Sequence, residues 1–242
     1  MHTALVIGAS RGIGLELVRQ YLAEGWRVIA TARDEAGLAL LKSLGAQALR
    51  VDVANPISVS GLDWMLDGEK IDVALYVAGV IDHASIDAAP TQQAFDRVMH
   101  TNVMGAMMAL PQIATKVEDA NGVLAFVSSV MGSLQGTRSS DAALYRISKA
   151  ALNMVVRTAQ PAYPKALIVA LHPGWVQTEM GGANATLTVE QSATGIRHTL
   201  AHLTPDTRAS FCLLTAAPSR GDAAYPFTLK RTQSCCSPPT KP

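Results

Sequence analysis

Six short, mostly aliphatic runs recur along the chain: "ALVIG" (4–8), "RVIATA" (27–32), "ALRVDV" (48–53), "VALYVAG" (73–79), "VLAFVSS" (123–129) and "ALIVALH" (166–172). Their lengths and β-branched content are those of strands buried on both faces. The stretches between them carry apolar residues at helical spacing, over about 12–24, 35–44, 56–66, 91–115 and 142–159. A further helical stretch covers about 188–203. Repeated β-α alternation predicts an α/β fold: a single doubly wound, Rossmann-type parallel sheet with helices on both faces, joined by right-handed crossovers. Ligands of such sheets bind beyond the carboxyl ends of the strands. The chemistry is therefore sought at those ends.

Composition sharpens this picture. The 242 residues, 49% hydrophobic and only 5% aromatic, fit one domain with a large aliphatic core. A formal net charge of +1 gives no electrostatic reason to expect a nucleic acid or an acidic membrane as partner. The opening "MHTALVIGAS" lacks a basic leader followed by an apolar run, and no stretch is apolar for long enough to span a bilayer. The three cysteines, Cys212, Cys235 and Cys236, crowd the C-terminus and make a poor disulfide framework. A cytoplasmic location is expected.

The first strand ends in "GASRGIG" (8–14), which opens a helix. Gly8 allows the turn, Gly12 admits close approach of a ligand, and Gly14 permits tight helix–strand packing. The free N–H groups of the helix start suit a pyrophosphate. The spacing, G-x-x-x-G-x-G, differs from the generic G-x-G-x-x-G fingerprint. A carboxylate after the second strand would mark an NAD site. Here Ala32 stands at that point, followed by Arg33, while Arg11 lies inside the glycine loop. Two guanidiniums suit a 2′-phosphate, so NADP(H) is the expected cofactor and NAD(H) the alternative. Asp34 is the counterargument, as a candidate ribose acid. Asp52 is a candidate acceptor for the adenine amino group, or else a carboxylate capping a turn.

The fifth run ends in "FVSSVMG" (126–132), where alternation sends Ser128 and Ser129 to opposite faces, so one of them points at the cleft. Downstream, "ALYRISKAAL" (143–152) places Tyr145 and Lys149 one helical turn apart on one face. A phenol titrates near 10, and bringing it toward 7 takes roughly 4 kcal/mol of preferential phenolate stabilisation. A neighbouring ammonium in a cleft of low dielectric is a source of it. His100 and His172 have no metal-ligand spacing around them, and no metal site is assigned.

Taken in order, Gly8-x-x-x-Gly12-x-Gly14, Asn102, Ser129, Tyr145-x-x-x-Lys149 and "PGWVQT" (173–178) resemble the short-chain dehydrogenase/reductase family, in its compact branch. The resemblance runs from about residue 3 to 211. "SSVMGS", "YRISKAALN" and "LHPGWVQTEMGG" are similar to the small carbonyl-reductase and C-factor-like members. What the resemblance implies is NADPH-dependent reduction of a small ketone or aldehyde, with Tyr145 as proton donor and Ser129 on the substrate oxygen. Lys149 would acidify the phenol and hold the nicotinamide ribose. Asn102 would hold a helix bend and a water leading to Lys149. It also places Ser10, Arg11, Ile13, Arg33, Asp52, Val53, Ala78, Gly79, Pro173, Gly174, Val176 and Thr178 along the cofactor. The expected partner is a small carbonyl or alcohol, with homo-oligomerisation as a family habit. Two rivals stay open: a nucleotide-binding signalling or scaffold protein with little turnover, and an NAD-linked alcohol dehydrogenase.

The chain departs from the family pattern in three places. Where the family often has Asn-Asn-Ala-Gly, it reads Tyr76-Val77-Ala78-Gly79, so a hydrogen bond bracing the strands is expected to be missing. The polar insert "GTRSSDAA" (136–143) is expected as a loop bordering the substrate cleft, and Pro161 and Pro164 should end the catalytic helix. From 212 on, "CLLTAAPSRGDAAYPFTLKRTQSCCSPPTKP" loses both periods. The expected domain is thus 1–211, with an atypical tail at 212–242. The codons for Thr215 to Asp222, read in a shifted frame, admit Asp-Gly-Ser-Pro-Leu-Ala-Trp and a stop, a family-like ending. A frameshifted tail is favoured on that ground over a disordered extension. The gene's nucleotide sequence decides between them.

Overall fold

A computed structural model describes residues 1–216 and 227–232, with side chains described through residue 212. In chain order the elements are β1 (Thr3–Ile7), α1 (Gly12–Ala23), β2 (Arg27–Ala32), α2 (Glu35–Ser43), β3 (Gln47–Arg50), α3 (Pro56–Ser60), α4 (Leu62–Met65) and β4 (Val73–Tyr76). There follow α5 (Gln92–Met99), a π turn (His100–Met104), α6 (Gly105–Glu118), β5 (Val123–Val127), a 3-10 turn (Val130–Gly132) and α7 (Ala143–Ala159). β6 (Leu167–His172), α8 (Val189–Ala201), β7 (Phe211–Ala216) and β8 (Phe227–Thr232) complete the described chain.

The strands form one sheet in the order β3-β2-β1-β4-β5-β6-β7-β8. The first seven in that row are parallel, as the alternation requires, and β8 lies antiparallel on β7. Helices cover both faces. On one face Leu62, Leu66, Ile113, Val117, Leu152 and Val156, from α4, α6, α7 and the α4–β4 loop, pack on the sheet. On the other, Leu17, Leu38, Leu41, Ile196 and Leu200 come from α1, α2 and α8. The strand order reverses between β1 and β4, which puts the switch-point crevice between the glycine loop and Val77–Gly79.

Several of the expected elements turn out differently. The helix expected over 56–66 is interrupted at Gly61, which separates α3 from α4. The helix expected over 91–115 is broken by the π turn, which widens the backbone around Asn102. The strands expected over 48–53, 73–79 and 123–129 stop at Arg50, Tyr76 and Val127. At the end of β4 the amides of Val77 and Ala78 both reach the carbonyl of Ile7, so the ladder fans open into the crevice there. The region read as lacking any strand period holds β7 and β8, because pairing with β6 organises β7 where no side-chain alternation announces it. Residues 217–226 and 233–242 of the atypical tail lie outside the described residues.

Candidate active site

The glycine loop is shaped by backbone close approach. Gly8 has φ +86°, and a Cβ on it would stand 2.7 Å from the backbone of Ala78. A Cβ on Gly14 would stand 2.3 Å from the Gly8 carbonyl. Gly12, at φ +54°, faces the Thr178 methyl at 3.5 Å, so the segment after β6 reaches the loop. The start of α1 has no side-chain cap and no acidic residue in its first turn. By contrast Asp34, Asn55, Thr91 and Thr188 cap α2, α3, α5 and α8. The α1 amides, flanked by Ser10, Arg11 and Ile13, are thus left to an anion. These features fit a dinucleotide pyrophosphate.

Two arginines meet at the end of β2, and a third stands at the glycine loop. Arg33 ends the β2 turn, exposed, with Nε 3.9 Å from Asp34 Oδ2. Arg50, registered opposite Ala32, donates to the Arg33 carbonyl at 3.2 Å and pairs with Glu35. Arg11 pairs with Glu179 across the mouth of the glycine loop. Asp34 spends one oxygen capping α2, accepting from Gly37 N–H at 2.8 Å. Asp52 caps its own turn, accepting from Ala54 N–H at 3.0 Å, with Val53 buried beside it. Of the two roles considered for Asp52, the turn cap is the one that the hydrogen bonds describe.

Deeper in the cleft, β4, the π turn, β5 and α7 bring Asn102, Ser129, Tyr145 and Lys149 together. Asn102 is fully buried. Its Oδ1 accepts from Val80 N–H and its Nδ2 donates to the Val80 carbonyl, both at 2.8 Å. The same Nδ2 donates to Ser148 Oγ at 2.9 Å, and Ser148 donates to the Tyr145 carbonyl at 2.7 Å. Lys149 Nζ donates to the Val127 carbonyl at 2.8 Å and stands 5.6 Å from the centre of the Tyr145 ring. A Cβ on Gly79 would sit 3.4 Å from Asn102 Oδ1 and 3.5 Å from Lys149 Nζ, so Ala78-Gly79 leaves the floor of the cleft open to these groups. Alternation separates the serine pair as expected: Ser128 donates to Asn153 Oδ1 at 2.6 Å, while Ser129 hydrogen-bonds Tyr145.

Burial dominates the electrostatics of the Tyr145 and Lys149 pair. Burial pushes the Tyr145 phenol above its ordinary pKa, and the hydrogen bond with Ser129 opposes that rise. Lys149 stands one turn along α7 from that phenol. Its ammonium is turned to Val127, and burial pulls its pKa down from 10.5 to about 8. His172, where β6 meets Pro173, is lowered to about 4 by burial, with Nδ1 unpartnered.

Beyond β6, Gly174 takes φ +84° and a Cβ there would strike Leu187 at 2.3 Å. Val176 bridges to Leu187, and Thr178 Oγ1 accepts from Gly181 N–H at 3.1 Å. Ser192 of α8 holds the Pro173 carbonyl at 2.7 Å. The polar insert borders a cavity of about 440 Å³ with Ile86, Met131 and Leu134. The α7 wall of that cavity is Ala143, Arg146, Ile147 and Ala150, so it opens beside Tyr145 and Lys149 rather than onto them. α7 ends at Ala159, ahead of Pro161, as expected.

Sequence reasoning passed over Ser148 and Glu179. Ser148 was legible as the residue three after Tyr145, on the same face. Glu179 had no local signal, since its partner lies 168 residues away. Tyr76 was read as a loss, yet its hydroxyl donates to the Thr101 carbonyl at 3.0 Å and ties the end of β4 to the π turn.

The chain also has relatives. Residues 2–187 match the family model described as short chain dehydrogenase. The chain is 32% identical over 223 residues to 1-hydroxy-2-glutathionyl-2-methyl-3-butene dehydrogenase of Rhodococcus sp. (strain AD45), covering 87% of this chain and 96% of that one. It is 32% identical over 160 residues to C-signal of Myxococcus xanthus, covering 65% of this chain and 92% of the relative. Among solved structures, the carbonyl reductase Sniffer of D. melanogaster superposes with a TM-score of 0.79 at 28% identity, covering 88% of this chain and 96% of that one. A short-chain dehydrogenase/reductase from Burkholderia multivorans with bound NADP gives 0.78 at 29%, covering 88% and 95%. The doubly wound sheet with its glycine-lined switch point and the match across most of its length lead to one conclusion: this chain belongs to the short-chain dehydrogenase family and is an NAD(P)-dependent oxidoreductase.

Proposed function

We propose that the protein reduces a small ketone or aldehyde with NADPH, using Tyr145, Lys149, Ser129 and Asn102, on a domain that takes in β7, in the cytoplasm. One observation carries the reading. Four polar side chains from β5, α7 and the π turn converge, buried, at the carboxyl ends of the central strands, beside a glycine loop whose helix start lacks a side-chain cap. The reduced dinucleotide, when bound, supplies the hydride. The rest of the work belongs to the chain.

Tyr145 is the proton donor. Its raised pKa keeps the phenol protonated through neutral pH, which is the form a reductase requires. Ser129 shares its hydroxyl with that phenol and orients the carbonyl oxygen between them. As the carbonyl oxygen takes the phenolic proton, a phenolate is left. Lys149, one turn along α7, is the nearest positive charge to stabilise it. Asn102 fixes Val80 and Ser148, and through Ser148 the backbone of Tyr145. Ser10, Gly12, Ile13, Ala78, Gly79, Pro173, Gly174, Val176 and Thr178 line the path assigned to the dinucleotide. Arg11 and Arg33, joined by Arg50, favour a 2′-phosphate, and the capping role of Asp34 supports NADPH over NADH. The NADP in the Burkholderia neighbour agrees with that choice.

The C-signal relative is the one support for a second reading, a nucleotide-binding signalling protein with little turnover. NADPH oxidation with a panel of small aldehydes and ketones separates the two. Wild type should turn over at least one carbonyl, and Tyr145→Phe should lose about 100-fold or more in kcat while binding NADPH as before. NADPH binding by both with turnover by neither would replace the reductase by the signalling reading.

A further inference from the structure

The π turn between α5 and α6 creates a hydrogen-bonding problem inside the core. The Gly105 N–H reaches back five residues to the His100 carbonyl. In an α-helix that N–H would serve the Thr101 carbonyl, which is therefore left without its ordinary partner in a buried place. Tyr76, the last residue of β4, solves it. Its side chain is fully buried, and its hydroxyl donates to the Thr101 carbonyl at 3.0 Å. The space around that bond is specific. A Cβ on Gly105 would come within 2.7 Å of the Tyr76 hydroxyl and 2.3 Å of the Val53 carbonyl, so the phenol and the bare glycine are matched.

The residue after Thr101 is Asn102, whose side chain grips both backbone groups of Val80 and the hydroxyl of Ser148. The Tyr76 ring also packs on Phe126, its centre 5.6 Å away. That ring contact is packing alone; the hydroxyl bond is what reaches the site, through Thr101 to Asn102 and from Asn102 through Ser148 to the Tyr145 backbone. We propose that Tyr76 is a positioning residue for the reaction: its hydroxyl pins the π turn at Thr101 and thereby sets Asn102 and the α7 face bearing Tyr145 and Lys149. The proposal rests on the reading of those residues as the reacting set. Tyr76 itself, closed off from the cleft, touches no substrate.

Tyr76→Phe tests it, because only the hydroxyl is removed. Phe126→Leu is the control: it disturbs the same ring pair and leaves the hydroxyl bond. In Tyr76→Phe, kcat should fall about tenfold or more, with KM for the carbonyl and the NADPH dissociation constant within about twofold. Amide hydrogen exchange across Asn102–Ala106 should quicken by about tenfold, with distant strands unchanged. Phe126→Leu should lower the melting temperature yet keep kcat within about twofold of wild type. Wild-type kcat in Tyr76→Phe, unaltered exchange at the π turn, or an equal kcat loss in Phe126→Leu each overturns the proposal. In the wild-type protein the same bond predicts a slowly exchanging Tyr76 hydroxyl proton by NMR, and its absence overturns the proposal even where the variant fails to fold. Retained activity in Tyr145→Phe would instead refute the reacting set, and the exchange measurements would still decide what Tyr76 does to the turn.

Discussion

Replacing Lys149 by methionine should make the protein more stable and inactive at once. Lys149 is buried, and its ammonium donates to the Val127 carbonyl. The fall of its pKa from 10.5 to about 8 has desolvation as its cause. At about 1.4 kcal/mol for each tenfold in the proton equilibrium, holding the charge in the folded state costs about 3 kcal/mol near neutral pH. Methionine keeps a similar unbranched length and removes that cost. It also leaves the Val127 carbonyl without a donor, which returns about 1–2 kcal/mol. The net gain is about 1–2 kcal/mol at pH 7, or very roughly 2–8 °C in melting temperature for a chain of this size.

The sign of the pH dependence is the sharper test. Below pH 8 the lysine is protonated in both folded and unfolded chains, and the full cost is present. Between pH 8 and 10.5 the unfolded chain binds more protons than the folded one, so wild-type stability rises relative to the variant. The advantage of Lys149→Met should therefore shrink by about 3 kcal/mol across that window. Urea unfolding followed by far-UV circular dichroism, at matched m-values from pH 7 to 10.5, measures it. A stability difference that stays flat with pH would show that the buried ammonium is not strained, and the argument for a site held at the expense of stability would fail.

Two further predictions concern the ends of the cleft. Arg33→Ala should weaken NADPH by about tenfold or more, the worth of a charge-assisted contact to a 2′-phosphate, and leave NADH within about twofold by fluorescence titration; equal losses for both would remove the cofactor assignment. His172, whose pKa lies at about 4 against an ordinary 6.5, must take up a proton when the chain unfolds in mild acid. Wild-type stability should fall as pH drops from 6.5 to 4, by up to about 3 kcal/mol. His172→Gln should lose that part of the acid limb in chemical unfolding at pH 4–7, and an unchanged acid limb would contradict it.

The local signals were strong where chemistry and backbone geometry coincide within a few residues. The spacing of Tyr145 and Lys149, the glycines at 8, 12 and 14, and the alternation of strands and helices are consequences of helical and pleated periods, and these can be read from the chain as written. Alternation also separated Ser128 from Ser129, although which serine meets Tyr145 depends on where α7 lies over β5. The break at Asn102 could not be read locally. It arises because the Thr101 carbonyl finds a donor in Tyr76, 25 residues earlier, and Asn102 finds Val80 and Ser148 on two other elements. The same limit explains Arg11 with Glu179, and β7, which is a strand because β6 offers it a ladder.

The sequence by itself determined most of the secondary elements, the fold class and the candidate reactive residue types, since each follows from short-range periodicity and side-chain chemistry. Tertiary structure alone decided the charge states and partners of those residues. Burial raises the phenol of Tyr145 and lowers the ammonium of Lys149, and burial is a property of everything packed around a group rather than of its neighbours in the chain.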